Sequence, residues 1–212
     1  VRRLAIVLAA LLAAAAAAGG NLRTLEHSQP AGEITGIVIS AGIGDVEIRG
    51  EAGSEIRARV EIKEKSHGLF GSRLSDRDVQ ALEIEHSVSD GTLTLRVGPE
   101  RKSDHNFSET WTVYVPAGFA ATVRLGVGDL TVLDLTGSVK AEVGVGDVRI
   151  EGSNASFGHV HASCGVGDAT LRTPDGHEEG EGFIGHSLTA HGPGQAELHA
   201  QVGVGDVTIR LR

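Results

Sequence analysis

The residues best suited to chemistry in this chain are five aspartates, each closing a Gly-x-Gly-Asp motif. The motifs are Gly42-Ile43-Gly44-Asp45, Gly126-Val127-Gly128-Asp129, Gly144-Val145-Gly146-Asp147, Gly165-Val166-Gly167-Asp168 and Gly203-Val204-Gly205-Asp206. Their first glycines are separated by 84, 18, 21 and 38 residues. The last gap holds two units of about 19 residues, and periods of that size mark stacked units. A degraded copy falls inside it, near Gly182-Phe183-Ile184-Gly185-His186. In such a stack Asp129, Asp147 and Asp168 form a column of carboxylates about 5 Å apart, which repel one another. Two arrangements offset the repulsion. One is backbone amides together with exposure to water. The other is a cation such as Ca²⁺, which takes oxygen ligands from several carboxylates and carbonyls. Calcium-binding β-rolls carry a Gly-Gly-x-Gly-x-Asp nonapeptide. Here one shorter motif occurs per unit, so the residues favour turn capping without a resident cofactor. Gly44, Asp45, Gly128, Asp129, Gly146, Asp147, Gly167, Asp168, Gly205 and Asp206 are the predicted structural corners.

Ten histidines form the second group. His159 and His161 flank Val160 and face outward from one strand. In a later unit His199 takes the place of His161, four residues before the first glycine of the motif. Imidazoles on adjacent units come within the reach of Zn²⁺, which makes His159, His161 and His199 the metal candidates. Their spacing matches no established zinc motif, and a pH-dependent surface charge is the simpler consequence. Catalytic signatures are missing. The chain has no His-Glu-x-x-His, no Gly-x-Ser-x-Gly and no phosphate-binding Gly-x-x-x-x-Gly-Lys loop. His177-Glu178-Glu179 sits in a glycine-rich acidic stretch and reads as a loop. The single cysteine, Cys164, aligns with Leu125, Val143 and Val202 and reads as a small core residue. No catalytic residue is predicted, and the chain is not read as an enzyme.

The elements that must hold these residues are short strands. Apolar residues run Val139, Ala141, Val143, Val145 and then Val148, Ile150. The same change of parity occurs from Val123, Leu125, Val127 to Leu130, Val132, and from Ala200, Val202, Val204 to Val207, Ile209, Leu211. Alternation of period two marks half-buried strands. Each Gly-Asp then turns the chain while the aliphatics, motif valines included, stay inside. Corners every twenty residues or so and an interior of small aliphatics predict an all-β, single-domain β-solenoid. A β-sandwich is the competing architecture. Residues 121–212 form the regular part and 34–120 the less regular one. Strands are expected at 56–62, 82–88, 93–97 and 111–115, with Trp111 inward. Asp90-Gly91 signals a hairpin, so this part is expected to be partly antiparallel. Residues 65–77 and 98–108 read as loops, and 19–33 as a short linker.

Length, charge and the first residues bound the setting. The 212 residues suit one medium domain, with 30 glycines and 3% aromatics. A net charge of −9 argues against a nucleic-acid partner. Residues 1–18, VRRLAIVLAALLAAAAAA, have the charged start, short apolar core and small-residue end of a signal peptide, with cleavage predicted after Ala18. Removing Arg2 and Arg3 leaves 17 basic against 28 acidic side chains, a net −11. The apolar stretch is too short for a confident membrane anchor. Export to the periplasm or cell surface of a bacterium follows.

A strand ending in Val113-Tyr114-Val115-Pro116-Ala117-Gly118 leads into Gly126-Val127-Gly128-Asp129-Leu130, and Gly-Asp units follow to Gly203-Val204-Gly205-Asp206-Val207. This arrangement, over residues 34–212, resembles the bacterial putative-adhesin family. The resemblance implies a β-solenoid-like fold, an envelope location and no known catalysis, and it carries no catalytic residue to transfer. Valine between the glycines departs from the family, in which small polar residues are common there. The leading expectation is therefore a non-catalytic exported envelope protein, adhesin-like or scaffolding, with an envelope protein or glycan as partner. A glycan- or metal-binding module is the alternative, and a polysaccharide-modifying β-helical enzyme is third. A final strand at 207–211 with no polar cap suggests an open edge and a homodimer through it.

Overall fold

The computed structural model describes residues 21–64, 76–98, 107–179 and 185–212. The predicted signal segment, most of both predicted loops and Gly182–Ile184 of the degraded copy lie outside the described residues. With aliphatic and polar residues alternating, strands bury one face and leave the other to water. The described chain is accordingly nearly all β. In order its elements are β1 (Asn21–Pro30), β2 (Gly36–Glu51), β3 (Glu55–Glu64), the short helix α1 (Asp76–Gln80), β4 (Glu83–Ser89), β5 (Thr92–Gly98) and β6 (Phe107–Pro116). Then come β7 (Ala120–Val127), β8 (Leu130–Leu133), β9 (Val139–Val145), β10 (Val148–Gly152), β11 (Phe157–Val166) and β12 (Ala169–Thr173). The last four are β13 (Gly176–Glu179), β14 (His186–His191), β15 (Ala196–Val204) and β16 (Val207–Leu211).

These strands form one mixed sheet of 16 strands that curls over a single apolar core. The strand β2 joins its two sides. Residues 36–43 of β2 pair with β5 and β7, and after the bend at Gly44 residues 44–51 pair with β6 and β8. On one side the order is β4-β5-β2-β7-β9-β15-β11-β14, and on the other β1-β3-β6-β2-β8-β10-β16-β12-β13. Five strand–corner–strand units thus lie side by side, parallel and in register. Ile39, Val123, Ala141, Ala200 and Ala162 form one buried row across them, and Ile48, Val132, Ile150, Ile209 and Leu171 another. Aligned β-branched and small side chains fill such an interior without voids.

Four features differ from the sequence expectation. Part of the expected linker 19–33 is strand β1, paired antiparallel with β3. Its residues show almost no apolar alternation, because backbone pairing and outward ion pairs such as Glu26–Arg59 hold it instead. The order of units also departs from chain order, since β15–β16 lies between β9–β10 and β11–β12. The final strand β16 is therefore flanked by β10 and β12 and is not an open edge, which removes the basis for a dimer through it. The third difference is in the degraded copy. Its described end, Gly185-His186, does not start a further parallel unit, because β14 turns back antiparallel along β11. Last, the motif valines Val127, Val145, Val166 and Val204 point outward and are between 45% and 59% exposed. The corner begins at the first glycine rather than the second, so the inward series stops one residue earlier than counting by twos predicts.

The 34–120 part mixes both pairings. β5 and β6 run parallel to β2, whereas β3–β6 and β4–β5 are antiparallel. Asp90 and Gly91 both take positive φ, 49° and 71°, between β4 and β5, as a two-residue hairpin requires. Trp111 is buried and donates its indole N–H to Glu109, 2.7 Å away.

Candidate functional site

Two arrays of side chains stand out, and the register just described builds both. The first runs along the corners. Gly44, Gly128, Gly146, Gly205 and Gly167 all have φ between 132° and 135°, a region nearly restricted to glycine. They also sit too close for any side chain. A Cβ on Gly128 would overlap the carbonyl oxygen of Gly44; Gly146 stands likewise to Gly128, Gly205 to Gly146, and Gly167 to Gly205. The motif's second glycine is thus required twice over, by conformation and by contact.

The aspartate after each glycine reaches the neighbouring unit rather than its own turn. Asp45 Oδ1 accepts the backbone N–H of Asp129 at 3.2 Å, and Asp129 Oδ1 that of Asp147 at 3.0 Å. Asp147 Oδ1 accepts from Asp206, and Asp206 Oδ1 from Asp168, both at 2.8 Å. The ladder therefore reads 45, 129, 147, 206, 168, with Asp206 standing between the two residues the sequence placed next to each other. Asp168 has no following motif. In its place His186 brings Nδ1 to 3.1 Å from Asp168 Oδ1. Four of the five carboxylates thus accept a backbone N–H from the adjoining unit, which offsets repulsion along the column.

Beside the corners runs an open groove of about 810 Å³. Gly42, Gly126, Gly144 and Gly203, the first glycines of four motifs, help to line it, together with Arg124 and Glu142. The Glu142 carboxyl is held below its ordinary range, chiefly by a hydrogen bond from Lys140, with Arg124 adding to it. Next in sequence to three of these glycines stand the outward Val127, Val145 and Val204.

The second array is on the outer face of the side that carries β14, β11, β15 and β9. His161 pairs with His199 across parallel strands, and their rings stack with centroids 5.0 Å apart. His159 pairs with His191 across antiparallel strands, centroids 5.2 Å apart. The structure thus brings His161 and His199 together and gives His159 a different partner. Sequence reasoning missed His191, because only the turned-back strand β14 carries it there. His177 lies elsewhere, on β13 opposite Arg172. Cys164 is 3% exposed and packs between Val202 and His186 in register. Burial pushes its thiol up from the ordinary value, and the thiol donates to the Gly167 carbonyl. At the opposite end of the sheet His27 and His86 lie 4.5 Å apart, ring to ring, and His27 Nε2 is buried without a hydrogen-bond partner.

Among the described residues no group of three or more His, Cys, Asp or Glu is arranged to hold a metal ion. No helix among them is long and apolar enough to cross a membrane.

No family model matches the chain, and no curated protein matches it in sequence. Solved structures are similar in outline. A putative cell adhesion protein from Clostridium sporogenes is 15% identical, with 90% of this chain and 100% of that one covered and a TM-score of 0.46. A putative adhesin from Bacteroides fragilis is 11% identical over 90% and 97%, with a TM-score of 0.33. A putative lipid binding protein from Parabacteroides distasonis is 11% identical over 91% and 98%, with a TM-score of 0.23. At these values the likenesses set neither the fold in detail nor the function of this chain.

Proposed function

We propose that this chain is a non-catalytic module of the bacterial cell envelope, adhesin-like or scaffolding, exported and built as a short two-faced β-solenoid with Gly-Asp corners. The observation that carries the reading is the outward valine row. Four large aliphatic side chains stand about half exposed at matching corner positions, on a backbone locked by the aspartate ladder. A rigid row of exposed apolar side chains is suited to contact with another surface rather than to turnover. Four of the five motif aspartates are engaged with backbone amides of the adjoining unit. Support for the glycan alternative is weak. Among the described residues Trp111, Phe107, Phe119 and Phe157 are buried, and Arg57 lies over the ring of Tyr114, so none of these offers an open platform for a sugar.

The test is saturable binding of the whole protein to isolated bacterial envelopes, compared with a variant carrying Val127→Ser, Val145→Ser and Val204→Ser. The expected result is a loss of at least about tenfold in affinity with an unchanged melting temperature, because these side chains leave water only on binding. Envelope binding that is absent, or equal in the variant, or release of product from envelope polymers, would overturn the reading.

A further inference from the structure

Four of the ten histidines gather on one outer face, and each has another as its nearest ring. On β11, His159 and His161 alternate with buried Val160 and Ala162, so both project outward. Antiparallel register sets His191 opposite His159, and parallel register sets His199 opposite His161. Centroids 5.0 and 5.2 Å apart leave the ring nitrogens of each pair within a small side-chain rotation of one shared ion, given metal–nitrogen bonds of about 2.0–2.1 Å. The Nδ1 of His161 lies 3.1 Å from the Thr189 hydroxyl. That contact steadies the ring and leaves Nε2 for a ligand, the usual outer-shell arrangement at imidazole metal sites.

We propose that this face binds divalent transition-metal ions of the imidazole-preferring class, one between His161 and His199 and one between His159 and His191, with water completing each coordination shell. The inference goes beyond the envelope-module reading and does not depend on it. Charged neighbours shape it. Lys140 on β9 lies opposite His199 and opposes a cation, whereas Glu197 on β15 lies opposite His159 and favours one. Glu142 stands one row away on β9. With two protein ligands each, the sites are open and of modest affinity.

The experiment is calorimetric titration of the tag-free whole protein with Ni²⁺ and with Zn²⁺ at about pH 7.5, where free imidazole is neutral. Two ions per chain are expected. His161→Gln and His191→Gln each remove one ion, and the double variant removes both, while the metal-free melting temperature stays within about 2 °C because these rings face outward. Lys140→Gln raises the affinity at the His161–His199 pair severalfold by removing a like charge. Ca²⁺ and Mg²⁺, which prefer oxygen ligands, do not compete. The proposal is overturned if saturable binding is absent at millimolar metal, if the double variant binds as many ions as the parent, or if Ca²⁺ displaces the metal.

Discussion

Replacing Gly146 by alanine tests the corner ladder at its centre. The residue has φ 135°, and its added Cβ would overlap the Gly128 carbonyl oxygen of the adjoining unit. Holding a side chain in that backbone region costs about 1–3 kcal/mol. Relieving the overlap forces two in-register units apart at a further cost of about 1–3 kcal/mol. A total of about 2–6 kcal/mol lowers the melting temperature of a chain this size by roughly 4–24 °C. Two other motif glycines separate the contributions. Gly144 has no positive φ, but its Cβ would lie 2.5 Å from the Gly126 oxygen, so Gly144→Ala should show the overlap cost alone. Gly42 takes the same motif position in the first unit, yet its Cβ would meet nothing within 4 Å, so Gly42→Ala should be close to neutral. Thermal unfolding followed by circular dichroism gives all three. Equal melting temperatures for the Gly42 and Gly146 variants would refute the argument that neighbouring corners press backbone on backbone.

Two further outcomes follow from the same geometry. Asp147→Asn keeps the oxygen that accepts the Asp206 amide and removes a charge from between Asp129 and Asp206, so its melting temperature should stay within about 2 °C of the parent. Asp147→Ala should cost about 1 kcal/mol, and millimolar Ca²⁺ should leave all three proteins unchanged in a thermal-shift assay. A calcium-dependent rise that disappears in Asp147→Asn would show a cation in the column instead. In acid, His27 should weaken the fold. Burial first, and the charge of His86 second, hold it below its ordinary 6.5, so the unfolded chain takes up a proton at higher pH than the folded one. Stability is therefore full above about pH 6.5 and is lost as the pH falls through the lower folded value, with His199 adding in the same direction. Urea midpoints measured between about pH 7.5 and pH 5 should fall, and less so in His27→Gln; a flat profile would exclude this account.

Much of this was legible in residue types, and the losses have physical reasons. Alternation named Val139, Ala141, Val143, Val148 and Ile150 correctly as inward on both sides of a corner, because burial acts on each side chain locally. The same counting failed at Val145, where the backbone turns before the apolar series ends. β1 escaped notice because an edge strand is held by main-chain pairing, which leaves little trace in side-chain pattern. Unit order was hidden for a related reason: Val143 pairs with Val202, and Cys164 is a side chain of similar size and polarity that would suit the same register position, so composition cannot rank neighbours. That ambiguity also concealed His191 and His186, whose positions depend on a strand that reverses direction.

The placement of β15–β16 between units made earlier in the chain has a kinetic meaning. A ribosome or a translocation pore delivers residues in order, so the pieces on either side emerge before the piece that separates them. Those early pieces present matching parallel edges and could zip together prematurely, closing the slot. The late segment must then either wait for a held-open gap or displace a wrong neighbour, and Asp147 Oδ1 would accept the Asp168 backbone N–H in the interim. Folding of this protein should accordingly show a slow final phase in which a shortcut pairing is undone.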